Sequence, residues 1–102
     1  DDLSGKKVRP ALCLTKKISN YDHVVIAFIT SQISKATEPS DILISSKDPQ
    51  FKSTGLKIDS AVRLHRLATI PHRIMLRKLG KLPANKEKEV KEKLSELFDL
   101  QK

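Results

Sequence analysis

Tryptophan is absent from this chain, cysteine occurs once and glycine three times in 102 residues. Each scarcity removes a class of chemistry. A lone Cys13 forms neither an internal disulfide nor a zinc site, which favours a reducing compartment. Within "ALCLT" it reads as a small buried hydrophobe rather than a nucleophile. Three scattered glycines make no Gly-rich phosphate loop, and no nucleophile-elbow pattern is present. His23, His65 and His72 have no ligand spacing, so neither a metal nor another cofactor is expected. A serine–histidine–aspartate set stays open on composition alone. No stretch reaches the roughly 18–20 apolar residues of a membrane span. The chain opens on "DDLSGKKVRP", not on a basic and then apolar leader, so a cytoplasmic protein without a membrane partner is expected.

What is present is positive charge. The net charge is +8, and residues 85–102 contribute none of it, with five Lys against five acids. Residues 1–84 hold fifteen Lys and Arg against seven acids. An excess confined to one part of a small domain suits an anionic partner, nucleic acid being the commonest, or else a merely soluble basic surface.

Five segments carry strand signals. "VRPALCLT" (8–15) follows a turn-like "SGKK", and "HVVIAFIT" (23–30) is a β-branched and aromatic run expected of a strand buried on both faces. "DILISS" (41–46), "SAVRLHRLATI" (60–70) and "IMLRKLGKL" (74–82) complete the set, with a helical turn at 72–77 as the competing reading of the last. In "NKEKEVKEKLSELFDLQK", Val90, Leu94, Leu97 and Phe98 fall on one helical stripe, and Asn85 is placed as its N-cap. The helix is expected over about 85–100. One domain spanning 1–102 is expected, mainly β, a strongly curved sheet or barrel closed by a structural helix.

The fourth strand raises the functional question. Alternation puts Val62 and Leu64 on one face and Arg63 and His65 on the other, roughly 6–7 Å apart. A buried cation is costly unless it is paired or used. Arg66 falls on the opposite face unless a bulge intervenes, and is kept as an RNA-backbone candidate. A site of Arg, His and hydroxyl groups suits cleavage of RNA by its own 2′-hydroxyl. That reaction needs a base, an acid and positive charge on the phosphorane. An imidazole titrates near neutrality and a guanidinium forks onto phosphate oxygens.

The blocks "KKVRPALCLT", "VVIAFITSQ", "TGLKIDSAVRLHRLATI" and "RKLGKL", in this order, resemble the MazF/PemK-like toxins of toxin–antitoxin systems. The resemblance covers about residues 2–100. Its most specific parts are Arg9-Pro10-Ala11, Thr30-Ser31 and the block from Gly55 to Leu64. It implies an SH3-like β-barrel with a C-terminal helix, of the type shared with CcdB-like toxins, working as a homodimer. It implies a metal-independent endoribonuclease that cuts single-stranded mRNA and is neutralised by an antitoxin, with operator DNA bound only as the toxin–antitoxin complex.

By position, the resemblance makes Arg9 the arginine that holds the scissile phosphate and Thr30 the threonine that completes that site. Arg63 becomes the arginine that stabilises charge or donates a proton. His65 stands where some members carry an aspartate proposed as the base. Lys6 and Lys7 occupy the loop where some members have a histidine, and bind phosphate. Ser31 and Gln32 are candidates for contacts to base or ribose. Many members begin with a strand like "GDIVLVPFPF" ahead of the "D-L-S-G" turn where this sequence opens, so an unpaired sheet edge is expected. The rival expectation is a non-catalytic module of the same fold that grips a protein, as gyrase-poisoning toxins do, or that only binds nucleic acid.

Overall fold

The computed structural model describes residues 8–100, so Lys6 and Lys7 lie outside the described residues. Four strands, β1 (Ala11–Cys13), β2 (His23–Thr30), β3 (Asp41–Ile44) and β4 (Ser60–Pro71), form one sheet in the order β1-β2-β4-β3. Every neighbouring pair is antiparallel. The sheet curls into a half-barrel, and helix α1 (Ala84–Leu97) packs against β3 and β4. Among the described residues no helix is long and apolar enough to cross a membrane.

The core follows from alternation on the concave face. Ala27 and Ile29 of β2, Ile42 and Ile44 of β3, and Val62 and Leu64 of β4 are all buried in one cluster. Leu82 and Val90 close it from the helix side, and Leu94 packs against it. Burial of these aliphatic side chains is the main term holding sheet and helix together, at about 25 cal/mol per Å² of apolar surface. The helix adds one polar tether, Lys93 Nζ donating to the backbone carbonyl of Asp41 at 3.0 Å.

The expected apolar stripe is only half used. Val90 and Leu94 face the core, whereas Leu97 and Phe98 remain 39% and 54% exposed. The helix ends there because Asp99 takes a left-handed φ of 59°, where α-helix cannot continue. Its start is one residue earlier than expected. Pro83, not Asn85, holds the N-cap position, and its carbonyl accepts the amides of Lys86 and Glu87, each at 2.9 Å. Proline suits a helix start because its φ is fixed and it has no N–H to satisfy.

The expected strand over 74–82 does not form. A 3₁₀ turn, His72–Ile74, follows Pro71, and residues 75–83 continue without regular structure. Imperfect alternation gives this stretch no single face to bury, so Ile74, Leu76 and Leu79 stay exposed while Leu82 goes inside. Its backbone instead docks on the turn Phe51–Thr54, with Lys81 N–H donating to the Ser53 carbonyl at 2.9 Å.

Two further expectations change. Cys13 is exposed, not buried, because Leu12 takes the inward position on the short outer strand β1. β2 is not buried on both faces throughout, since Phe28 is 40% exposed.

Candidate functional site

The registers of three strand pairs build the site. Phe28 lies opposite Ala11 on one side and opposite Arg63 on the other, and Arg63 lies opposite Asp41. Directly opposed residues share a face, so these four form a row across the side of the sheet opposite Ala27, Ile29, Ile42 and Val62. Next to Phe28 the β2–β4 register jumps: Phe28 pairs with Arg63, but Ala27 pairs with Leu67. Three extra residues, Leu64, His65 and Arg66, therefore bulge from β4.

An odd insertion reverses the alternation. Leu64, the first bulged residue, points into the core and Leu67, just after the bulge, packs against it, although an uninterrupted strand would put them on opposite faces. The same reversal carries Arg66 round to the side of Arg63, the bulged alternative to its place on the opposite face.

A cavity of about 510 Å³ opens over this row. Arg9, Lys35, Arg63 and Arg66 supply its charged lining, and among the described residues no acidic side chain takes part. Thr30 and Gln32 add polar groups, while Phe28 and Ile29 give an apolar wall. Arg9 enters just before β1, where the Pro10 carbonyl accepts the Ile29 N–H at 3.3 Å and ties the segment to β2. Thr30 ends β2, and its Oγ1 accepts the Gln32 N–H at 3.0 Å, so the hydroxyl shapes the turn that it also lines. The 3₁₀ turn Ile33–Lys35 then folds Lys35 back over the cavity, its N–H bonded to the Gln32 carbonyl at 3.0 Å. Ser31 does not line the cavity.

Arg63 is held from behind. Its Nε donates to Asp41 Oδ1 at 3.0 Å and its Nη2 to Oδ2 at 3.5 Å, while the Glu38 N–H donates to Oδ2 at 2.9 Å. Burial of Asp41 pushes its carboxyl up. The Arg63 hydrogen bond, the Glu38 amide and the charges of Arg63 and His65 outweigh burial, and hold it below the usual carboxylate range.

His65 also reaches Asp41, with Nδ1 3.8 Å from Oδ1. Ser40 Oγ lies 2.8 Å from the same Nδ1. The imidazole faces a second cavity of about 390 Å³, shared with Ser40, Lys93 and Leu97, and not the cationic one. Ser40, His65 and Asp41 thus meet, but at one nitrogen. A hydrolytic triad needs serine and aspartate on opposite nitrogens of the ring, so this cluster is not one.

Of the expected site residues, the structure gathers Arg9, Thr30, Gln32, Arg63 and Arg66 around one cavity. It sets His65 behind Asp41, beside Arg63 but outside that cavity, and leaves Ser31 apart. Lys35, Phe28 and Asp41 were missed. Only their spacing from Thr30 and Arg63 across strands marks them, and register is invisible in one sequence. Among the described residues, no three His, Cys, Asp or Glu side chains gather as metal ligands.

A family model described as PemK-like, MazF-like toxin of type II toxin–antitoxin systems matches residues 2–98. Among solved structures, the chain is similar to Mycobacterium tuberculosis toxin MazF-mt6, with a TM-score of 0.71 and 26% identity over 89% of this chain and 86% of that one. A second structure, titled as an Mtb toxin, aligns with a TM-score of 0.64 and 25% identity, covering 86% of this chain and 90% of the other. No curated protein matches.

Proposed function

The chain belongs to the PemK-like, MazF-like toxin family of type II toxin–antitoxin systems, and from that premise and the cationic cavity we propose an endoribonuclease that cuts single-stranded RNA without a metal. The observation that carries this reading is the convergence of Arg9, Lys35, Arg63 and Arg66 on one cavity whose lining, among the described residues, holds no acid. Asp41 balances Arg63 from behind, and the other cations, Arg9, Lys35 and Arg66, repel one another unless an anion lies between them. A phosphodiester fits, since each guanidinium offers paired donors to its non-bridging oxygens.

In the proposed reaction the ribose 2′-oxygen attacks the adjacent phosphorus. The O2′–P bond forms as the P–O5′ bond breaks. The 2′-hydroxyl proton passes to a base, and a proton is delivered to the leaving 5′-oxygen. The products are a 2′,3′-cyclic phosphate and a 5′-hydroxyl. Arg9, Arg63 and Arg66 neutralise the charge that grows on the equatorial oxygens, and the Thr30 hydroxyl donates to one of them. His65 faces the other cavity, so it acts on this site only by helping Asp41 position the Arg63 guanidinium, which is assigned the proton to the leaving oxygen. On this reading residues 1–102 act as a single toxin domain in a cytoplasmic homodimer. A cognate antitoxin restrains it, and operator DNA is bound only by the toxin–antitoxin complex.

One observation favours a second reading. His65 Nδ1 is occupied by Ser40, and no imidazole lines the cationic cavity, which suits a module that binds RNA without cutting it. Incubating the protein with a single-stranded RNA in EDTA separates the two. Fragments with cyclic phosphate ends support the nuclease, and Arg9→Ala should slow their formation by about 100- to 1000-fold. Binding without fragments, or an Arg9→Ala protein that cuts at the parental rate, removes it.

A further inference from the structure

The cavity holds an aromatic ring that phosphate chemistry does not need. Only four side chains in the chain are aromatic, and Phe51 is spent against the core. Phe28 instead stands on an inner strand of the sheet, 40% exposed, between neighbours Ala27 and Ile29 that are 0% and 8% exposed. Its outer cross-strand partner is Ala11, whose methyl group is too small to cover a ring. Its inner partner is Arg63, which Asp41 draws the other way. The ring is left open on the wall of a cavity whose charged groups among the described residues, Arg9, Lys35, Arg63 and Arg66, are all cationic.

A bare aromatic face set among cations is how proteins grip unpaired nucleic acid: the cations track the phosphates and the ring takes a base. Resting on the nuclease reading above, we infer that Phe28 is a stacking platform for one nucleobase next to the phosphate held by the arginines. The open part of the ring gains nothing from burial on folding, and a stacked base would take that apolar surface out of water. A base can reach the ring only if it is unstacked from its own helix, so the platform also selects single strands over duplex. Aromatic stacking tolerates every base, so Phe28 sets strandedness and position, not sequence.

The test compares the parent with Phe28→Ala, Phe28→Leu and Phe28→Trp. The ligand is a single-stranded RNA oligonucleotide with 2′-O-methyl groups that block cleavage and 2-aminopurine at successive positions. Quenching is expected at one position in the parent. Affinity should fall by about 5- to 150-fold in Phe28→Ala, a loss matching removal of one base–aromatic stack, and recover in Phe28→Trp. Phe28→Leu keeps apolar bulk, so it should fold as the parent does and still lose the quenching. Duplex RNA of the same sequence should bind all four proteins alike.

Unchanged affinity and quenching in Phe28→Leu would overturn the platform, as would sedimentation showing that the ring is covered by a second copy and that its loss only dissociates the pair. Cleavage of unblocked RNA, scored separately, reports on the nuclease reading. Normal cutting with no dependence on Phe28 sinks the platform alone, and stacking without cutting sinks the nuclease alone.

Discussion

Arg63 and Asp41 are partners twice over, opposite each other in the β3–β4 register and joined by a two-point contact, Nε to Oδ1 at 3.0 Å and Nη2 to Oδ2 at 3.5 Å. The carboxylate side chain is only 3% exposed and the guanidinium 19%. Removing one member of such a pair strands the other in a poorly solvated place. The contact therefore fixes the direction in which Arg63 faces the cavity, and it also sets a pH dependence.

Asp41→Asn keeps the shape and an acceptor for the Glu38 amide but removes the charge. It should cost about 1–3 kcal/mol near neutral pH. The folded-state carboxyl lies below its ordinary value, so the stabilisation is complete above the unfolded value of about 3.9 and is lost as pH falls through the lower folded value. Urea midpoints should separate parent and variant near neutrality and converge in acid. A gap of constant size across that range would show that the charge is not what matters.

Arg66 reaches the cavity only because of the bulge in β4, and its effect on RNA binding should be electrostatic. Arg66→Ala should weaken binding of all single-stranded sequences by a similar factor. It should also lower the slope of log K against log salt by about 0.7, the release of counterions from one phosphate on a single strand. A variant whose salt slope equals the parent's places Arg66 off the RNA.

Lys93→Met removes a side-chain hydrogen bond between α1 and the backbone of β3, Nζ to the Asp41 carbonyl at 3.0 Å, while keeping the aliphatic stem. A loss of about 1 kcal/mol is expected. Amide exchange should quicken in α1 before it does in β2 or β4. Uniform acceleration through the whole chain would mean that the tether does not hold the helix separately.

How much of this could be read beforehand differs from element to element. β2 and β4 announced themselves, because runs such as "HVVIAFIT" have few other uses, and α1 did so through Val90 and Leu94. The site arginines were legible as residues but not as a constellation. Strict alternation leaves the face of Arg66 open to a bulge that it cannot itself foresee, and a carboxylate at a strand start, as at Asp41, looks solvated until its opposite number is known to be Arg63. Alternation puts His65 beside Arg63, yet the sequence carries no hint that Ser40 and Asp41 both turn to its Nδ1 and that the ring faces a different cavity. Register and bulges are long-range properties of a sheet, and local pattern does not encode them.

The stretch "IMLRKLGKL" shows the same limit, and two glycines explain what it does instead of forming a strand. Gly55 has a φ of 74°, a conformation that side-chain-bearing residues avoid, and an added Cβ would collide with the Leu79 carbonyl. A Cβ on Gly80 would collide with the Ser53 carbonyl. Each glycine thus clears room for the other's neighbour, and the two backbones approach closely enough for Lys81 N–H to bond Ser53. Gly80→Ala should cost about 2–4 kcal/mol, more than the roughly 1 kcal/mol typical of point changes, since a backbone must move and the docking bond is lost. Gly55→Ala adds the strain of a positive φ to the same collision and should cost at least as much. Because both act on one contact, the double variant should lose less than the two single losses together. Thermal unfolding of the four proteins checks this directly, and strictly additive losses would mean that Gly55 and Gly80 serve separate contacts.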